Sequence, residues 1–305
     1  MTNFRSGFAC IVGRPNVGKS TLINLMVGEK ISIISKQPQT TRHTIRGIVH
    51  KNDGQIVLVD TPGIHKPKTL LGSRLNELVK QTWSEVDVVV FCVPADQKIG
   101  PGDRFIVQEI NEQIRKPKIG VLTKIDLVNP NLIVERLIEL EKVSKDFGFD
   151  WDEIIPISSE SEENVDKLSN LIIKYLPEGP ELYPSEIFTE EPIGTLVAEF
   201  IREAALEDLR EELPHSLAVT VEKIENAEDR PIDKPLMKIF ANIYVERESQ
   251  KGIIIGQKGS KLKEIGSLAR KQIETLVGTK VYLDLQVKVA PDWQTDLKEL
   301  TKLGF

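Results

Sequence analysis

The sequence predicts a doubly wound α/β domain with a mostly parallel sheet, followed by a smaller α+β domain. Three observations predict this. Short apolar runs alternate with helical patterns through the first half of the chain. Several of these runs, such as Val88 to Val90, are apolar without alternation, as strands buried on both faces are. A proline-rich acidic stretch then intervenes, and beyond it the order becomes helix, strand, strand, helix, strand. With 305 residues the chain is also long for one ordinary domain.

Taken in order, strands are expected at 8–12, 45–50, 55–60, 86–93, 118–123 and 153–158. Helices should begin near Lys19, Leu71, Asp103, Asn131 and Asn164. The runs at 45–60 flank an Asp53-Gly54 turn signal, so they should form a hairpin with one antiparallel strand. Pro177, Pro180, Pro184 and Pro192 stand among acidic residues with no periodic pattern. Residues 1–178 are therefore assigned to the first domain, 179–193 to a linker and 194–305 to the second. The second should open with a helix at 193–213, carrying Leu196, Phe200 and Ala204 on one stripe. Strands at 217–225 and 236–246, a glycine-rich turn, a helix at 260–277 and a strand at 280–289 follow. The segment 292–305 reads as a C-terminal helix packed on that domain's core.

The composition, 40% hydrophobic and 28% charged, is that of a soluble globular protein. No apolar run approaches the roughly 18 residues of a membrane-spanning helix. The N-terminal segment lacks the pattern of a secretion signal. Cys10 and Cys92 lie in apolar runs and read as buried thiols in a reducing compartment, so a cytoplasmic protein is expected. The net charge of −6 gives no global attraction to nucleic acid.

The stretch Gly13-Arg-Pro-Asn-Val-Gly-Lys-Ser20 fits G-x-x-x-x-G-K-[ST] between a strand and a helix. A glycine-rich turn in that place points backbone N–H groups at phosphate oxygens, and the helix adds its positive end. Lys19 can bridge β- and γ-phosphates, and Ser20 can place its hydroxyl on Mg²⁺. Asp60-Thr-Pro-Gly63 ends the third strand; Asp60 can hold Mg²⁺ through water, and Gly63 can offer its N–H to the γ-phosphate. Thr123-Lys-Ile-Asp126 ends the fifth, where a carboxylate at Asp126 can accept from N1–H and the amine of guanine, a donor pair adenine lacks. Lys124 can cover the base with its stem.

Gly256-Gln257-Lys258-Gly259 opens a helix in the second domain and fits the G-x-x-G loop that approaches an RNA backbone closely. From Ala241 to Pro291 there are nine basic residues against five acidic ones, opposite in sign to the whole chain. Lys261 and Lys263 follow the loop on its helix and join it as expected RNA contacts.

These elements, with Pro38-Gln-Thr-Thr-Arg42 and Ile157-Ser-Ser159, resemble the motifs of translation-factor-class GTPases. A GTPase domain joined to a helix-first KH domain resembles the Era family of ribosome-assembly GTPases over nearly the whole chain. The resemblance implies GTP and GDP as ligands, with Mg²⁺, and Gly13, Asn16, Val17, Gly18, Thr21, Ser158 and Ser159 as further nucleotide contacts. It implies that Thr41, preferred over Thr40, completes the Mg²⁺ set with Ser20 and Asp60. It also implies a K⁺ ion near the phosphates with Asn16 as ligand, which leaves Asn16, Lys19, Thr41 and Gly63 as the residues expected to support hydrolysis. Ile64 stands where Ras-like proteins have a water-orienting glutamine. The switch segments are expected at 34–44 and 63–72. The implied partners are the 3′ end of 16S ribosomal RNA and the 30S subunit, whose assembly the protein would assist as a monomer; contact with the inner face of the cell membrane is left open. Two departures stand out: Thr123 replaces the usual asparagine, and Ser159-Glu160 follows Ser158 where Ala-Gly is usual. The first suggests a weaker grip on nucleotide. Competing readings are a membrane-associated signalling GTPase and an ATP-driven nucleic-acid remodelling enzyme; Asp126 speaks against the latter.

Overall fold

A computed structural model describes residues 4–35, 41–63, 69–207, 216–227 and 235–305. The chain forms two compact units. The first comprises Met1–Ser32, Thr41–Pro67 and Leu75–Glu190, and the second Ile33–Thr40, Lys68–Arg74 and Glu191–Phe305.

The first unit is a six-stranded sheet in the order β2-β3-β1-β4-β5-β6. Its strands are β1 (Arg5–Val12), β2 (Ile45–Lys51), β3 (Gly54–Asp60), β4 (Val88–Pro94), β5 (Lys118–Thr123) and β6 (Glu153–Pro156). All neighbours are parallel except β2 and β3, which form the expected hairpin. Lys51 pairs with Gly54, so its two-residue loop is Asn52-Asp53 rather than Asp53-Gly54. Every residue of β3 and β4 is buried. Alternation sends Ala9, Ile11, Val90 and Cys92 into one core, with α1 (Lys19–Val27) and α5 (Val165–Tyr175). Cys10, Val12, Phe91 and Val93 enter the other, with α2 (Leu70–Glu85), α3 (Pro101–Gln113) and α4 (Pro130–Asp146). Both thiols are buried and free, and burial pushes both up from the ordinary cysteine range.

Local chemistry sets the helix ends. Asn129 Oδ1 accepts from the Leu132 N–H at 3.0 Å, and Pro130 opens α4. Asp103 turns back from the first turn of α3 to accept the Gly100 N–H at 2.9 Å.

The stretch read as a linker is ordered along β2 as far as Glu190. Ile48 N–H donates to Phe188 O at 2.9 Å, and Thr189 Oγ1 donates to Arg46 O at 2.6 Å. Gln55 is fully buried and holds the same strap through Leu182 N–H, Tyr183 N–H and Tyr183 O.

The second unit has a three-stranded sheet of β7 (Ala218–Asn226), β8 (Leu236–Val245) and β9 (Lys280–Val289), antiparallel then parallel. Its helices are α6 (Ile193–Leu206), α7 (Glu248–Ile255), α8 (Ser260–Val277) and α9 (Leu297–Lys302). Phe200, Ile201 and Ala204 of α6 pack with Ile265, Ala269 and Ile273 of α8 and with alternate residues of β8. The expected extension of α6 to Leu213 lies outside the described residues. α7 falls where only a turn was expected. Three consecutive isoleucines hide its period, but Gln250 caps it, its Oε1 accepting from Glu246 N–H and Arg247 N–H. α9 is shorter than the expected 292–305; Trp293, ahead of it, is fully buried and donates to Ser216 O at 3.0 Å. Among the described residues no helix is long and apolar enough to cross a membrane.

Candidate guanine nucleotide and nucleic-acid sites

The loop from β1 to α1 needs its glycines for distinct reasons. A Cβ on Gly13 would lie 2.5 Å from the Cys92 carbonyl oxygen. Gly18, with φ +101, caps α1 in a conformation side chains disfavour. Asn16 also sits at positive φ, +64, which asparagine tolerates better than most residues. Lys19 is 7% exposed, and its Nζ donates to Gly13 O at 3.1 Å and Arg14 O at 3.0 Å. The ammonium is thus folded into the concave side of the loop, where phosphates would compete for it.

Ser20, Thr41 and Asp60 come together as expected. Ser20 Oγ donates to Asp60 Oδ2 at 2.9 Å and lies 3.2 Å from Thr41 Oγ1. Thr41 Oγ1 is 3.4 Å from the same carboxylate oxygen. Asp60 Oδ1 is buried and has no hydrogen-bond partner among the described residues. Burial pushes the Asp60 carboxyl above its ordinary range and pulls the Lys19 ammonium below its own; the attraction between the two offsets part of each. An orphaned carboxylate oxygen beside two hydroxyls is a donor set of the kind Mg²⁺ takes. Thr61 Oγ1 donates to Ile11 O at 3.1 Å and fixes the start of the next loop. A Cβ on Gly63 would lie 3.0 Å from the Pro15 ring, so this glycine lets the two loops touch. Ile64, Thr40 and the middle of both switch segments lie outside the described residues.

The elements expected to read the base are joined by hydrogen bonds. Thr123 Oγ1 donates to Val17 O at 2.7 Å and lies 3.2 Å from Val93 O, so the hydroxyl that replaces the usual asparagine amide tethers the phosphate loop to β5. Lys124, at φ +57, donates to Asn16 O at 3.0 Å. Asp126 is exposed in a single 3₁₀ turn after β5. Its Oδ1 accepts from the buried Ser158 hydroxyl at 2.6 Å, and Ser158 Oγ in turn accepts from Ser161 N–H at 3.1 Å. Val17 is buried, while Thr21 and Ser159 are half-buried beside the same loops.

In the second unit, Gly256 has φ +71 and ψ 179, a region open essentially to glycine alone. A Cβ there would also meet Lys261 N at 2.9 Å. Gly259, at φ +79, opens α8. Gln257, Lys258 and Lys263 are exposed; Lys261 is half-buried and pairs with Glu264 at 3.2 Å.

Both parts of the chain have counterparts among known proteins. A family model described as a 50S ribosome-binding GTPase matches residues 8–124, and one described as a KH domain matches 212–294. The GTPase Era of Streptomyces coelicolor is 58% identical over 304 residues, covering 100% of this chain and 96% of the relative. That of Mycolicibacterium smegmatis is 57% identical over 306 residues, covering 100% of both. The chain belongs to the GTPase Era family. A crystal structure of Era in complex with MgGDPNP and nucleotides 1506–1542 of 16S ribosomal RNA matches it with a TM-score of 0.93 and 40% identity, over 99% of each chain. An Aquifex aeolicus Era variant bound to GDP·AlF4⁻ matches with a TM-score of 0.92, also at 40% identity and 99% of each chain. The membership makes this an Era-type GTPase domain followed by a KH domain.

Two groups at this Era-type site escape sequence reading. Asn24 accepts from Ile31 N–H at 3.0 Å and Ser32 N–H at 2.9 Å, fixing the chain that leads out of α1. Arg14 occupies a variable position of the loop motif yet is tied to Asp103 of α3 at 2.6 Å. Neither has a local signal, because each partner lies outside the motif.

Proposed function

We propose that this protein hydrolyses GTP as a switch and binds the 3′ end of 16S ribosomal RNA through its KH domain, assisting assembly of the 30S subunit. The observation that carries this reading is one chain holding both a guanine site, with Asp126 fixed by Ser158, and a G-x-x-G loop whose first glycine has φ +71. The relative solved with MgGDPNP and 16S nucleotides supports the same assignment. A cytoplasmic location accords with this role.

Lys19 would leave the Gly13 and Arg14 carbonyls for the β- and γ-phosphates. Ser20, Thr41 and Asp60 would hold Mg²⁺, which when bound supplies charge neutralisation on the phosphates. Asp126 reads the base, and Lys124 spans it from the loop side. Gln257, Lys258 and Lys263 offer exposed contacts to RNA, with Lys261 shared with Glu264.

Crosslinking the GTP-bound protein to cellular RNA, followed by sequencing, tests the reading. Reads should concentrate at the 3′ end of 16S ribosomal RNA; an even spread over transcripts would overturn it.

K⁺ is the second implied cation, with Asn16 as its protein ligand. Hydrolysis should be faster in KCl than in matched NaCl, and Asn16→Ala should remove the difference. Equal rates of the unsubstituted protein in the two salts would reject a K⁺ role.

A further inference from the structure

The Arg14 side chain lies across the start of α3 instead of pointing at the nucleotide site. Its Nε donates to Asp103 Oδ1 at 2.6 Å, and its Nη2 reaches Gln97 Oε1 at 3.3 Å. Asp103 is fully buried, and its other oxygen accepts the Gly100 N–H. Gly102 is part of the same fit, since a Cβ there would lie 2.9 Å from Arg14 Cδ. Most ion pairs on a surface contribute little, but this one has a partner with no access to water. The backbone of Arg14 faces the other way. Its carbonyl accepts the Lys19 ammonium at 3.0 Å, and the next residue, Pro15, is the one that meets Gly63.

We propose that Arg14 and Asp103 act as positioning residues that clamp the phosphate loop to α3, holding its backbone ready for the nucleotide's phosphates. The proposal rests on the guanine-nucleotide reading of this site. A loop already held in its binding geometry loses less freedom when ligand arrives. The clamp bears on the two points that matter: the carbonyls where Lys19 rests, and the proline that stops the Gly63 loop. An unclamped loop would still carry every motif residue but would hold phosphate less firmly, so nucleotide should leave faster.

The test measures release of a fluorescent GDP from the full-length protein. Arg14→Met keeps the length of the side chain and removes its charge. It should speed release roughly tenfold, the order expected for losing a charge-assisted hydrogen bond. Arg14→Lys can still pair with Asp103 and should stay within about threefold of the unsubstituted protein. Arg14→Met also leaves a buried carboxylate poorly paired, so a loss of stability is expected and needs its own control. Val143→Ala, in the α3–α4 core, destabilises the same unit away from the loop. It should release GDP at the unsubstituted rate. Release from Arg14→Met at the unsubstituted rate would overturn the clamp, as would equally fast release from Val143→Ala at matched thermal stability. If the unsubstituted protein fails to retain GDP, the guanine reading itself falls and the clamp with it; the first comparison therefore separates the two failures.

Discussion

Asp126→Asn should weaken GTP binding by at least an order of magnitude and allow XTP to compete. Each charge-assisted hydrogen bond lost to guanine costs about 1.5–3 kcal/mol. The structure adds a directional reason. Ser158 Oγ donates to Asp126 Oδ1 at 2.6 Å, so an asparagine would keep its oxygen toward Ser158 and turn its amide nitrogen toward the base. That nitrogen meets a hydrogen of guanine but can donate to the extra carbonyl of xanthine. Competition binding with GTP, ATP and XTP measures this; unchanged GTP affinity would remove Asp126 from base recognition. In the double variant with Ser158→Ala the amide loses its orienting donor, and the preference for XTP should shrink.

Replacing Gln257 and Lys258 with two aspartates should reduce RNA affinity by about 100-fold or more, since carboxylates would face phosphates at close range in a basic setting. Both side chains are exposed. Lys258 has φ +51, a conformation that aspartate accepts more readily than most residues, so the fold should survive. GTP affinity should be unchanged. A filter-binding titration with a 16S 3′-end oligonucleotide, at several salt concentrations, checks both the loss and a shallower salt dependence. RNA affinity equal to the unsubstituted protein would place the RNA contact elsewhere.

The parts of this molecule that were legible in the sequence are those governed by local rules. Parallel strands buried on both faces produce unbroken runs such as Val88 to Val90, and their alternation between two cores follows from the pleat. The nucleotide loop was legible because backbone geometry restricts Gly13 and Gly18 to glycine. The G-x-x-G loop was legible for the same reason at Gly256. What stayed hidden depends on partners distant in the chain. Arg14 and Asp103 are 89 residues apart, and nothing near either announces the other. The role of Thr123 was half visible: the loss of an asparagine amide could be read, but the bond from its hydroxyl to Val17 O could not. α7 was missed because three successive β-branched residues look like a strand or a buried turn, and its cap comes from Gln250 instead of a serine or aspartate.

The strap over β2 has a consequence for how an open sheet edge is kept from pairing with another chain. An open sheet ends in rows of unpaired N–H and C=O groups that invite pairing with another chain. Here one end of the six-stranded sheet is β6, only four residues long and closed by Pro156. The other is β2, seven residues long, and residues up to Glu190 cover it through Ile48 and Arg46, with Gln55 of β3 holding the same strap. Cutting the chain at 178, where composition puts the domain boundary, would strip that cover and take from Gln55, buried in the intact chain, its bonds to Leu182 and Tyr183. A fragment ending at residue 190 should stay dispersed, while one ending at residue 178 should self-associate, and light scattering on the two would tell them apart.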